Sequence, residues 1–127
     1  MMNLKIIFKR LVLLNLLITL FFVVSIFFIP ESSMVESFNQ SVEAHDIYYF
    51  LAIIWILAFF FNTYLLYNFK KFGKQMYLYI FLASLVLALI GGPLALDPLF
   101  YVLDGLAMSI SGALLAMLYL TPISKNF

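Results

Sequence analysis

Four long apolar stretches, separated by short polar segments, constrain the fold of this chain more than any other feature of its sequence. The first, Leu11 to Ile29, contains no charged side chain and ends at Pro30. Its roughly 19 residues measure about 28 Å as an α-helix, which is close to the thickness of the hydrocarbon core of a bilayer. This length predicts a helix that crosses a membrane.

The composition supports the same environment for the rest of the chain. Of the 127 residues, 66% are hydrophobic and 10% are charged, whereas about a quarter of the residues in a soluble domain are charged. So few charges would not cover the surface of a protein in water. The chain has no cysteine, which excludes disulfides, thiolate metal sites and a cysteine nucleophile.

We therefore predict an all-α integral membrane protein with four transmembrane helices in an antiparallel bundle, forming one domain over residues 1–127. The predicted spans are residues 8–29, 47–68, 76–94 and 98–120, and the loop between the first two spans is 30–46. The first span is longer than the apolar core of a signal peptide, and Phe27 to Pro30 offers no small-residue cleavage site. It is therefore expected to be an uncleaved anchor.

The polar loop after the first span contains a helix signal of its own. Ser33 and Glu36 have the spacing of a capping box, in which each side chain bonds a free backbone N–H. Met34, Phe38 and Val42 recur every fourth residue and form one apolar stripe. The pattern fits either a short helix at the membrane surface or a solvated loop.

The distribution of basic residues predicts the orientation. Every Lys and Arg falls in the first ten residues, between the second and third spans, or in the C-terminal tail: Lys5, Lys9, Arg10, Lys70, Lys71, Lys74 and Lys125. By the positive-inside rule both termini are cytoplasmic. The compact chain shows no presequence, so we expect the bacterial cytoplasmic (inner) membrane, with an organelle membrane as the alternative.

The third apolar stretch is interrupted at Gly91, Gly92 and Pro93. Its helix either ends there on a glycine C-cap or continues through a kink to Leu96. Asp97 and Pro98 then suit the N-cap and the first position of the fourth helix.

Small residues mark the fourth span as a packing helix, because small side chains let the backbone of a second helix approach closely. The series consists of Gly105, Ser109, Gly112, Ala113 and Ala116. The partner is either another subunit or the third span of the same chain, which offers Ala83, Ser84 and Ala88.

The polar candidates for a role inside the membrane are Asp104, Asn15 and Asn62. The two asparagines are expected to hydrogen-bond between helices. An ionisable residue in a span is costly and is a functional candidate by default. Asp104 lies roughly 9 Å from the start of its helix, so it either hydrogen-bonds a neighbouring helix or forms part of an ion or proton path.

Few residues are suited to catalysis or to ligand chemistry. We predict no catalytic residue, no metal site, no cofactor and no nucleic-acid partner, and the sequence indicates no particular small-molecule substrate. The expected function is that of a non-enzymatic subunit, stabiliser or assembly partner, associated with the lipid bilayer and with another membrane protein or a second copy. The alternative is a small oligomeric transporter or channel that uses Asp104 and the Gly91–Pro93 break.

Overall fold

The computed structural model describes residues 3–41, 46–90 and 95–127, with the side chains of residues 41 and 46 excluded. These residues form five α-helices, a C-terminal 3-10 helix and no strand. The helices are α1 (Leu4–Phe28), α2 (Ser33–Ser41), α3 (Asp46–Tyr67), α4 (Lys71–Ile90) and α5 (Pro98–Leu120), and the 3-10 helix is Pro122–Asn126. The first, third, fourth and fifth are long and apolar enough to cross a membrane. The prediction of an all-helical chain with four such helices is confirmed.

The four long helices form a ring in which each contacts two others, in the order α5, α1, α3, α4 and back to α5. The rings of Phe8 and Phe127 meet at one end of α1, with centroids 5.7 Å apart. Those of Phe22 and Phe100 meet towards its other end, 5.8 Å apart. We call the part of the bundle around Phe8 and Phe127 the terminal end, and the part around Phe22 and Phe100 the loop end.

The buried core lies towards the terminal end. Its members are Phe8, Val12, Leu66, Tyr77, Leu114, Leu118 and Ile123. Ile123 belongs to the 3-10 helix, and the ring of Phe127 contacts those of Phe8 and Phe69. The C-terminal tail, which is too short to fold independently, is therefore held by the ends of α1 and α3.

The turn between α3 and α4 has the hydrogen bonds of a Schellman motif. The Lys70 N–H donates to the carbonyl of Leu65 at 2.9 Å, and the Phe69 N–H donates to that of Leu66 at 3.0 Å. Phe69 has a φ of 53°, a conformation usually taken by glycine. Its ring packs 5.7 Å from that of Phe8, and this contact offsets part of the backbone strain.

Helix α4 begins at Lys71 rather than at residue 76, because Gly73 lets its first turn lie directly against the end of α3. A Cβ atom at Gly73 would lie 2.8 Å from Leu65 Cβ and 3.2 Å from the backbone nitrogen of Leu66. Most of the connection predicted between the second and third spans, residues 69–75, is therefore helix. At its other end α4 is described to Ile90, and residues 95–97 are not helical, so the helix does not extend to residue 96.

Hydrogen bonds connect helix α2 and the residue before it to the segment that precedes α5. The Ser32 N–H donates to Asp97 Oδ2 at 3.0 Å, and this bond lowers the pKa of Asp97. Asn39 donates from Nδ2 to the Ala95 carbonyl at 3.2 Å and accepts the Ala95 N–H at 3.1 Å. Asp97 is the N-cap residue of α5 with Pro98 following, although its carboxylate makes no capping bond.

The predicted capping-box residues Ser33 and Glu36 are helical, but each lies one position further into the helix than a capping box requires. Helix α2 begins at Ser33, which places Ser32 at the N-cap position. The Glu36 N–H donates to the Ser32 carbonyl at 2.9 Å, and the described residues show no hydrogen bond between Ser33 and Glu36. Of the two alternatives for this segment, the helix is the one formed. Val42 lies outside the described residues.

Candidate functional site

A cavity of about 440 Å³ lies among α1, α3, α4 and α5, mainly towards the loop end. Small-molecule sites in proteins have volumes of about 300–1,000 Å³. The lining is mostly aliphatic and aromatic. Its residues with polar groups are Thr19, Tyr48, Trp55, Tyr77, Ser84, Asp104 and Ser111.

Hydrogen bonds join three helices where the cavity meets the core. Asn15 is buried on α1 and donates from Nδ2 to Ser111 Oγ on α5 at 3.3 Å. The Tyr77 hydroxyl on α4 donates to the Ser111 carbonyl at 3.3 Å. A buried amide is costly without a hydrogen-bonding partner, so this cluster specifies which faces of the three helices meet.

Trp55 forms part of the cavity wall between α3 and α4. Its indole ring stacks on Phe59 with centroids 5.6 Å apart and an interplanar angle of 19°. The indole Nε1–H donates to the Ile80 carbonyl at 3.1 Å. This bond satisfies the polar atom of a residue that usually lies at the membrane interface, and explains how a tryptophan is accommodated near the middle of a span.

Asp104 lines the cavity and is itself exposed. Within the described ranges its carboxylate has no hydrogen bond and no ion pair, so the bond to a neighbouring helix that the sequence suggested is not found there. Its place beside the cavity leaves the ion or proton path as a prediction.

Asn62 is 1% exposed on α3, and its Oδ1 atom accepts no hydrogen bond from the part of the chain that the structure describes. It does not line the cavity with Asp104. The structure therefore brings Asn15 to a partner on another helix but leaves the Asn62 oxygen without one.

The small residues of α5 lie together on one side of the helix, because they are spaced by three or four residues. The opposite side carries the buried residues Phe100, Leu114 and Leu118. Among the residues that the structure describes, a Cβ atom built at Gly105 or Gly112 would meet no atom within 4 Å beyond the helix's own turns and adjoining residues. We call this side of α5, formed by Gly105, Ser109, Gly112, Ala113 and Ala116, the small-residue face.

The third span does not cover the small-residue face at its glycines. Ser84 and Ala88 of α4 instead line the cavity, and Ala83 is exposed. The Ser84 hydroxyl donates within its own helix to the Phe81 carbonyl at 2.6 Å. The intrachain partner considered from the sequence is therefore not found at Gly105 and Gly112.

A second pocket, of about 470 Å³, lies at the terminal end, where α4 meets the end of α5 and the C-terminal tail. Its lining residues are Lys71, Lys74, Gln75, Leu78, Tyr79, Tyr119, Ser124 and Phe127. Sequence reasoning used these lysines only to orient the chain. It missed the pocket because no sequence signal indicated that the tail folds back onto α4.

Two further predictions concern the helix break and the absence of a metal site. The break at Gly91, Gly92 and Pro93 lies outside the described residues. Among the residues that are described, no three His, Cys, Asp or Glu side chains are grouped so as to hold a metal ion.

The described part of the chain is helical, and its four long helices have the length and composition of membrane spans. Comparison of the chain with protein-family models, with curated proteins and with solved structures finds no match.

Proposed function

We propose that this chain is a small, non-enzymatic subunit, stabiliser or assembly partner of a membrane complex, and that it acts through packing of α5 against a transmembrane helix. The partner helix comes from another membrane protein or from a second copy. The observation that carries the proposal is the open space above Gly105 and Gly112 on the small-residue face.

The physical argument concerns what best covers such a face in lipid. Lipid tails are as apolar as leucine, so burial of apolar surface alone does not drive two helices together in a bilayer. What brings two helices together in a bilayer is van der Waals packing between closely approaching backbones. Glycine and other small residues allow that close approach. The small-residue face extends over roughly 16 Å of α5, which is long enough for a second helix to cross it.

The placement of the chain in the membrane is part of the proposal. We infer an antiparallel bundle with both termini on the cytoplasmic side of a bacterial cytoplasmic membrane. Contacts of Phe8 with Phe127 and of Phe22 with Phe100 support opposite directions for α1 and α5. The grouping of the basic residues at the terminal end supports the cytoplasmic side.

The test compares two substitutions at Gly112 in the intact chain. Gly112→Leu places a bulky side chain on the small-residue face, whereas Gly112→Ala keeps the face nearly flat. Since no described atom beyond its own helix lies within 4 Å of the Cβ position, both variants are expected to retain the fold. Association in native membrane discs, measured by crosslinking and native mass spectrometry, is expected to be lost with leucine and kept with alanine.

Two results would contradict this proposal. One is a Gly112→Leu variant that associates as the wild type does. The other is a wild-type chain that is found alone in native membranes, without a protein partner or a second copy. Helix content measured by circular dichroism is the control that separates lost association from lost folding.

A second candidate function is a small oligomeric transporter or channel, and the observation that favours it is the cavity beside Asp104. The packed core at the terminal end, with Phe8 and Leu118 both 0% exposed, fills the bundle on the far side of that cavity. Because the bundle is filled there, its geometry supports a conducting channel less well than it supports a subunit that packs against another helix. Ion or proton flux in liposomes that disappears with Asp104→Asn would favour the transporter over the subunit.

A further inference from the structure

The two ends of the bundle carry opposite charges, and no ion pair neutralises them among the residues that the structure describes. All seven Lys and Arg residues lie towards the terminal end, and the acidic residues whose side chains the structure describes lie towards the loop end: Glu31, Glu36, Asp97 and Asp104. Over the described ranges no ion pair forms. The cations at the terminal end are therefore available to anions from outside the chain.

The pocket at the terminal end concentrates two of these cations. Lys71 and Lys74 are three residues apart on α4 and both line it, because residues at this spacing share a helix face. Gln75 and Ser124 add an amide and a hydroxyl group that can donate hydrogen bonds. Ammonium, amide and hydroxyl donors together are the groups that bind phosphate oxygens.

Lys74 is held in place at the edge of this pocket. Its ammonium group donates to Ser124 Oγ at 2.5 Å and lies 4.7 Å from the centroid of the Tyr119 ring. The Tyr119 hydroxyl in turn donates to the Lys74 carbonyl at 3.2 Å. An ammonium group has three donors, so two remain for an anion, and the ordering of this long side chain reduces the entropy lost on binding.

We propose that this pocket binds the phosphate group of an anionic glycerophospholipid. It lies at one end of the long helices, where the headgroups of a bilayer are found, and basic pockets between transmembrane helices bind such headgroups. Leu78 and Phe127 provide apolar walls beside the lysines, which suits a ligand with both a phosphate and an acyl chain. This inference is independent of the packing function proposed for α5.

The experiment uses the full chain in a neutral detergent and three probes. These are short-chain phosphatidylglycerol, phosphatidylcholine with the same acyl chains, and inorganic phosphate. The dissociation constant is measured by titration, with the thermal midpoint as a second readout. We expect saturable binding of phosphatidylglycerol, no saturation with phosphatidylcholine, and no effect of inorganic phosphate over the same concentration range.

Lys74→Gln and Lys70→Gln form a matched pair, because each removes one positive charge from the same end of the bundle. Lys70 is exposed and does not line the pocket. We expect Lys74→Gln to weaken phosphatidylglycerol binding about fivefold, the factor that corresponds to about 1 kcal/mol per lysine. Lys70→Gln is expected to change it by less than about twofold, because exposed charges are screened.

Ser124→Ala provides a variant that leaves the charge unchanged. It removes the hydroxyl that holds Lys74 and is expected to weaken binding even if Lys74→Gln fails to fold. Equal losses in the two lysine variants would show a general basic surface and overturn the proposed pocket. Wild-type affinity for phosphatidylglycerol in Ser124→Ala would also overturn the proposed pocket. Binding of inorganic phosphate as tight as that of phosphatidylglycerol would overturn the lipid assignment.

Discussion

Gly73 determines how closely the start of α4 approaches the end of α3. The Cβ of any other residue would lie 2.8 Å from Leu65 Cβ and 3.1 Å from the Leu65 carbonyl carbon. The backbone atoms at this contact belong to a helix end and a Schellman turn, so they have little freedom to move. Close packing of helices around small residues is a general property of membrane bundles, and here it occurs beside the buried core.

We predict that Gly73→Ala destabilises the protein by about 1–3 kcal/mol, the usual cost of overpacking. The measurement is reversible unfolding in mixed micelles. Gly105→Ala is the matched control, since within the described part of the chain its Cβ meets no atom within 4 Å outside the adjoining residues and its own helix backbone. It is expected to leave stability unchanged or to raise it, and equal destabilisation of the two variants would contradict the close contact at Gly73.

Phe69 shows how one residue combines local strain with distant packing. A positive φ costs a non-glycine residue roughly 1–2 kcal/mol, and glycine is the usual choice at this position of a Schellman turn. The Phe69 ring, however, packs against those of Phe8 and Phe127 at centroid distances of 5.7 and 5.2 Å. Such pairs contribute about 0.5–1.5 kcal/mol each, which is enough to offset the strain.

At the scale of elements, α5 has two sides with different environments. One side holds Leu114 and Leu118 in the core and places Ser111 in the hydrogen-bonded cluster with Asn15 and Tyr77. The other side is the small-residue face, open at its glycines. Such a helix packs inside the chain on one side and is open at its glycines on the other. It is therefore suited to joining the bundle to a further helix.

We predict that Ser111→Ala destabilises the bundle by about 0.6–1.7 kcal/mol, the interval between the average and the largest value measured for hydrogen bonds between helices in a membrane. The loss leaves the buried Asn15 amide without its acceptor. Ser109→Ala is the control on the same helix, because the Ser109 hydroxyl donates to the Gly105 carbonyl of α5 itself and to no other helix in the described ranges. Unfolding in mixed micelles measures both variants, and equal stabilities would contradict a structural role for the cluster.

At the scale of the whole molecule, packing and charge both differ between the two ends. The terminal end holds the buried core, the basic residues and the folded-back tail, whereas the loop end has the cavity and the acidic residues described above. A membrane favours charged residues at the two ends of the bundle, because charged groups are costly in its hydrocarbon region.

We predict that residues 36 and 70 lie on opposite sides of the membrane, with residue 70 cytoplasmic. The chain has no cysteine, so Glu36→Cys and Lys70→Cys each provide a single labelling site. A membrane-impermeant maleimide added to intact cells is expected to label position 36 and to reach position 70 only after permeabilisation. Labelling of both positions in intact cells would contradict the topology.

The sequence alone determined the number and approximate positions of the long helices. The reason is physical, since a bilayer requires about 20 consecutive apolar residues for each crossing and leaves the charges in the connections. The predicted starts and ends differ from the observed ones chiefly at α4, where Gly73 permits a close contact that periodicity does not reveal.

Only the tertiary structure decided which helix sides meet. Gly105 and Gly112 suit close packing equally well against α4 or against another chain, and their sequence spacing is the same in both cases. The partner of Asn15 and the pocket around Lys74 likewise depend on residues distant in sequence, Ser111 and Ser124. Such contacts arise from the packing of whole helices and of the tail, which local sequence patterns do not specify.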